Sequence, residues 1–162
     1  KATAEFESHT PDRECMFFAE ISHESGGLVR LEESFRYNPK SLWQTFPKKF
    51  RDSLEASKVL GYGPQAVAEK VYGGRKDLGN VNPGDGWTFR GRGWIQLTGR
   101  KNYLDAGAAL GIPLVNDPDQ VKAPDTVARI AGWFWKRAGC NALADAGTKL
   151  FGRCGWISHR AY

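Results

Sequence analysis

Between residues 73 and 93 the chain carries seven glycines and a proline, with Asn80, Asn82 and Asp85 among them. Glycine destabilises a helix or strand interior by about 0.5–1 kcal/mol relative to alanine, so this window reads as one long loop. Loops of that length inside a compact domain are usually functional or disordered. The end of this one, Trp87-Thr88-Phe89-Arg90-Gly91-Arg92-Gly93-Trp94-Ile95-Gln96-Leu97, holds too many aromatic and aliphatic side chains for disorder. The rest of the chain has to pack around it.

On both sides the pattern is helical. Thr10-Pro11-Asp12 reads as a helix start, with Thr10 as cap, Pro11 in the first turn and Asp12 at the positive end of the dipole. That helix runs through Met16, Phe17, Phe18 and Ile21 to about Glu24 and stops at Gly26-Gly27. A short helix begins at Ser41, carries Leu42, Trp43 and Phe46, and is halted by Pro47. Residues 51–60 and 64–72 read as helices closed by glycine, and another runs from near Arg100 to Gly111. In the last clear one, from Pro124-Asp125 to Gly139, Val127, Ile130, Ala131 and Phe134 share a face. Strand signal is slight, so the fold class is mainly α. The 162 residues fit one domain, or one core split into two lobes.

The formal net charge is +5, which favours an anionic partner. Lys and Arg are scattered with no run of five, which argues against nucleic acid and fits diffuse attraction to an anionic cell envelope. Six tryptophans are many for this length; most are expected to pack cores, and some to line grooves that bind sugar rings. Three cysteines, Cys15, Cys140 and Cys154, make no disulfide framework and no metal-ligand spacing. Cys15 is expected to be a buried free thiol, and the chain to fold in a reducing compartment. No stretch approaches a membrane span. The first residue is Lys1, as in a processed or trimmed product.

Phe17, Ile21 and Glu24 lie at i, i+4 and i+7 on one apolar stripe. That places a carboxyl where core meets solvent. Partial desolvation and the negative end of the helix both raise a carboxyl's pKa, as a general acid requires. A solvated C-terminal glutamate fits the same pattern. Glu33 follows nine residues later, with Glu32 as its rival for the second carboxylate that an inverting glycosidase needs across a water. His23-Glu24 begins like a zinc-protease motif, but position 27 is glycine rather than histidine. No serine-nucleophile signature and no phosphate-binding loop occurs.

His23-Glu24-Ser25-Gly26-Gly27, then Glu33, then Gly91-Arg92-Gly93-Trp94-Ile95-Gln96-Leu97-Thr98 with Asn102-Tyr103, resembles the family 19 glycoside hydrolases, which include plant-type chitinases and many bacteriophage endolysins. Tyr72-Gly73-Gly74-Arg75 and Asn82-Pro83-Gly84-Asp85-Gly86 stand between the two signatures. The likeness covers about residues 10–145 of a single catalytic domain spanning 1–162. It implies a lysozyme-like fold of two helical lobes around a central cleft, inversion of configuration, and no metal or cofactor. By resemblance Glu24 is the general acid, Glu33 the base that activates water, and Thr98 a hydroxyl that helps hold that water. Gln96 and Asn102 are implied as sugar-binding residues, and His23, Phe89 and Arg92 are placed with them in the groove. Phe89 stands where the family often has tyrosine. Arg92 is expected either to pair with a carboxylate or to lie at the surface. Gln96 and Thr98 also fit a capped turn before a helix.

The short, disulfide-poor chain looks like the phage branch. The expected partner is then peptidoglycan glycan strands, with chitin oligomers as the alternative, for a monomer without nucleic acid or membrane insertion. It would be made in the host cytoplasm and act on the wall from the periplasm. Residues 148–162 depart from the family pattern.

Overall fold

The computed structural model describes residues 2–147, so the atypical tail and Cys154 lie outside the described residues. The helices are α1 (Ala2–Glu5), α2 (Pro11–Ser25), α3 (Pro39–Thr45), α4 (Ser53–Gly61), α5 (Pro64–Tyr72), α6 (Asp85–Thr88), α7 (Arg100–Leu110), α8 (Pro124–Arg137) and α9 (Cys140–Asp145). The fold is mainly α. Pairing between extended segments is limited, among the described residues, to two isolated antiparallel bridges, Glu32 with Arg92 and Arg92 with Leu97.

Local chemistry sets the helix ends. The Thr10 hydroxyl accepts from the Arg13 amide, and Pro11 opens α2. Gly26, left-handed at φ 61°, closes it. Asn38 caps α3 through the Ser41 amide, and the helix starts at Pro39, two residues before the start expected at Ser41. The 73–93 loop is shorter than its composition implies, because a 3-10 turn at Lys76–Leu78 and the one-turn α6 fold inside it.

Two apolar cores form, one in each lobe. The larger gathers Phe17 and Ile21 of α2, Ile95 and Leu97, Tyr103 of α7, and Ile130 and Trp135 of α8. The smaller gathers Phe35, Leu42, Phe46, Phe50, Val67, Val71 and Tyr72 from the region of α3–α5. The chain crosses between them twice near the site. Leu28 packs against the larger core and Phe35 belongs to the smaller; Trp87 packs against the smaller and Phe89 belongs to the larger.

Two expectations need correction. Cys15 is exposed, whereas Cys140 is fully buried. The buried stripe of α2 is narrow, made of Met16, Phe17, Ile21 and Ser25, and position 15 falls outside it. On α8, Val127, Ile130 and Ala131 are buried as expected, but the fourth large contact is Trp135, and Phe134 is only half-buried.

Candidate active site

Glu24 stands in the last turn of α2, half-buried, with His23 exposed beside it. The turn after it is held by Ser25. This buried hydroxyl donates to the Ile21 carbonyl and accepts from the Leu28 amide at 2.7 Å. The Trp94 indole then donates to the Leu28 carbonyl at 3.2 Å and pins the departing chain to the 91–97 segment. Gly26 and Gly27 have positive φ. A side chain would meet only the Arg30 guanidinium at Gly26 and no atom within 4 Å at Gly27, so the backbone beside Glu24 is open.

The returning segment is clamped to the second signature. The Glu33 amide donates to the Gly91 carbonyl at 3.0 Å, the Gly93 amide to Leu31 at 2.9 Å, and Arg92 and Leu97 exchange two backbone hydrogen bonds. Leu28, Phe35 and Gln96 adopt positive φ without being glycine, at 66°, 49° and 50°. Each such residue carries conformational strain of about 1 kcal/mol or more, and such strain gathers where side chains must be aimed. Three of the four non-glycine residues with positive φ among the described residues fall here.

Glu32 and Glu33 are separated by what surrounds them. Glu32 accepts from Arg90 and from Lys122, the latter at 2.7 Å. Partial burial opposes its charge, but the hydrogen bonds and positive charges of Lys122 and Arg90 outweigh that, and its carboxyl is held below the usual range. It is a structural tie between two lengths of chain and the 3-10 turn Pro118–Lys122. Among the described residues no such cation is bound to Glu33. Burial pushes its carboxyl up to about 7, against the lowering effects of the Tyr72 hydroxyl, the Gly91 amide and the charge of Arg90. The Tyr72 hydroxyl reaches both oxygens, at 3.1 and 2.9 Å.

Gly91 shows how closely the expected residues converge on Glu33. A methyl group there would lie 2.8 Å from Gln96 Oε1, 3.3 Å from Thr98 Oγ1 and 3.4 Å from Glu33 Oε2. Gln96 is braced through its amide to the Gly93 carbonyl, and the Thr98 hydroxyl donates to the Gln96 carbonyl at 2.8 Å. The Asn102 amide donates to the Thr98 carbonyl at 2.7 Å. Thr98 and Gln96 therefore do form a braced turn before α7, although no side chain caps the helix at Gly99.

Phe89 and Arg92 are placed differently. Phe89 is 1% exposed and packs edge-on against Tyr103. The Arg92 side chain is 4% exposed; it pairs with Asp119 and donates to Tyr103 Oη and the Thr88 carbonyl. Of the two readings for Arg92, pairing with a carboxylate is the observed one, and the carboxylate is Asp119. Both residues build the wall from behind. Beside Glu33, a groove of about 800 Å³ runs past Phe35, Leu60, Gly63, Pro64 and Trp87. The Arg90 guanidinium stacks on the Trp87 ring at 3.8 Å and stiffens that wall. Among the described residues no three His, Cys, Asp or Glu side chains converge as a metal site requires.

A family model for glycoside hydrolase family 19, chitinase class I, matches residues 3–144, which hold every one of these residues. The chain belongs to glycoside hydrolase family 19. A glycosyl hydrolase family 19 domain-containing protein of Haemophilus influenzae is 39% identical to this family 19 chain over 134 residues, covering 82% of it and 64% of the relative. Chitinase 11 of Oryza sativa subsp. japonica is 48% identical over 62 residues, 38% of this chain and 24% of its own length. The solved structure of chitinase C from Streptomyces griseus is 27% identical, with a TM-score of 0.40, over 76% of this chain and 37% of that one. The chain thus spans under two thirds of the length of each of these relatives.

Tyr72 and Asn80 escaped the reading of sequence as site residues. Tyr72 reads in sequence as the end of the 64–72 helix and the first residue of Tyr72-Gly73-Gly74-Arg75, and Asn80 as a loop-former. Nothing local to either marks its partner.

Proposed function

We propose that this family 19 domain is an inverting glycosidase, with Glu24 as general acid and Glu33 as general base. The observation that carries the reading is the state of Glu33: buried, held by the Tyr72 hydroxyl and the Gly91 amide, without a bound cation among the described residues, and facing Gln96 and Thr98 across Gly91. A carboxyl raised to about 7 has the proton affinity to take a proton from water near neutral pH. Thr98 and Gln96 supply the polar atoms that orient that water, and Asn102 braces the turn that carries them. Glu24, at an open helix end, protonates the leaving sugar oxygen from the other side. His23 is exposed next to it.

We propose peptidoglycan glycan strands as the substrate, cut at β-1,4 linkages. The chain would serve as a phage endolysin made in the host cytoplasm and acting as a monomer on the wall from the periplasm. The +5 charge supports this reading, since bacterial envelopes are anionic. Chitin is the second reading, favoured by relatives whose names are chitinase and endochitinase. One relative, from Arabidopsis thaliana, is named an inactive endochitinase, at 42% identity over 53 residues, so a non-catalytic glycan binder is the third.

A paired assay separates them. Loss of turbidity in outer-membrane-permeabilised Gram-negative cells is compared with product release from chitin oligomers. Glu24→Gln should lower turnover by about 10²–10⁴-fold, the range for losing a general acid, with the melting temperature kept. Equal lysis by wild type and variant defeats the catalytic reading. Binding to peptidoglycan without turnover of either polymer by wild type establishes the third.

A further inference from the structure

We infer that Tyr72 is a positioning residue for Glu33, its hydroxyl fixing the orientation and the charged form of the carboxylate that activates water. The inference rests on the glycosidase reading above. Tyr72 ends α5 and is 1% exposed, so its hydroxyl is enclosed. Its oxygen lies 3.1 and 2.9 Å from the two carboxyl oxygens of Glu33, so its one proton is within reach of both. A donor shared in this way opposes rotation of the carboxyl about its last bond. The rotation it sets leaves Oε2 close to the space at Gly91 that Gln96 Oε1 and Thr98 Oγ1 also face.

The tyrosine is itself held at three points. Its ring meets Phe35 and Phe46 edge-on, at centroid distances of 6.2 and 6.5 Å. Phe35 lies two residues beyond Glu33, so the ring and the carboxylate are carried by the same stretch of chain. At the other end, the Tyr72 carbonyl accepts from the Asn80 side-chain amide at 3.1 Å, and Asn80 Oδ1 accepts from the Arg100 amide at 2.8 Å. Asn80 is fully buried. It ties the end of α5 to the start of α7, two residues after Thr98. The base and the turn that orients water therefore share one scaffold, with Tyr72 as the link that touches the carboxylate.

The charged and titratable groups around the carboxyl give the effect its sign. Burial disfavours the anion; the Tyr72 hydroxyl, the Gly91 amide and Arg90 favour it. Removing the hydroxyl removes a donor to the anion, so Glu33 should hold its proton to higher pH.

Tyr72→Phe keeps the ring and deletes only the hydroxyl. Hydrogen bonds to charged groups are worth enough to move the acidic limb of the kcat/KM profile up by about one to two pH units, and kcat at neutral pH should fall about tenfold or more. KM and melting temperature should change little. Incorporating 3-fluorotyrosine at position 72, a stronger donor, should shift the limb the opposite way, which a purely structural tyrosine would not do. The Glu33 carboxyl is titrated in parallel by carbon-13 NMR in wild type and both variants, which needs no turnover. A Glu33 titration that coincides in all three overturns the inference. A titration that shifts while wild type cuts neither polymer supports the Tyr72–Glu33 link and defeats the glycosidase reading instead.

Discussion

Replacing Glu33 with glutamine keeps the length of the side chain and removes the charge that burial opposes. With a folded value near 7 against an ordinary 4.5, the proton on Glu33 favours the folded state. That contribution is complete below about 4.5 and is lost as pH rises toward about 7. Thermal melts should therefore show Glu33→Gln gaining on wild type across this window and keeping that gain, unchanged, above it; a difference independent of pH would mean that Glu33 is not desolvated. Gly91→Ala tests the same space from the other side. Its methyl group meets the flexible end of Gln96 first, at 2.8 Å, so the fold yields there at a cost within about 1 kcal/mol. Gln96 is displaced from Glu33 in the process, and turnover should drop by at least about tenfold. An active Gly91→Ala enzyme would remove Gln96 from the machinery.

Between elements, contacts that admit no side chain are the sensitive ones. A Cβ on Gly86 of α6 would stand 2.7 Å from the Ala68 carbonyl and 2.9 Å from the Gly73 amide, both backbone. Gly86→Ala forces α6 off α5 and should lower stability by about 1–3 kcal/mol in chemical denaturation. Ser25→Ala deprives the partly buried Leu28 amide of its acceptor, with a loss of about 1 kcal/mol measured the same way. Element ends were the most legible part of the sequence, because the Thr10 cap, Pro11 and Gly26 act within a few residues of themselves. Faces were less so: a periodicity of 3.6 located the buried side of α8 but preferred Phe134 to its neighbour Trp135, and packing chose the larger ring. The site was legible through its signatures, not its physics. Glu33 meets Gly91 in one backbone hydrogen bond beside the isolated Glu32–Arg92 bridge, too short for any alternating pattern, and meets Tyr72 across 39 positions of chain. Only the folded arrangement distinguishes Glu33 from Glu32, whose partners Arg90 and Lys122 are 58 and 90 positions away.

For the whole molecule, the +5 charge concerns encounter rather than chemistry. Raising the salt past about 0.15 M shortens the screening length to about 8 Å or less. Lysis of anionic cell walls should slow markedly over that change, while turnover of neutral chitin oligomers stays within about twofold. An equal response of both substrates would deny the charge any steering role. Two lobes were implied by resemblance and not by composition, and their junction is the feature with the longest reach. Glu24 closes a helix seated in one core, and Phe35, just past Glu33, is seated in the other. The strap between them is a ruler. One added residue lengthens it by at most about 3.5 Å, and the carboxyl separations of inverting and retaining glycosidases differ by only about 1–4 Å. A single insertion or deletion at the exposed residues Val29 and Arg30 is thus the right size to change the stereochemical course of the proposed hydrolysis while leaving both cores whole.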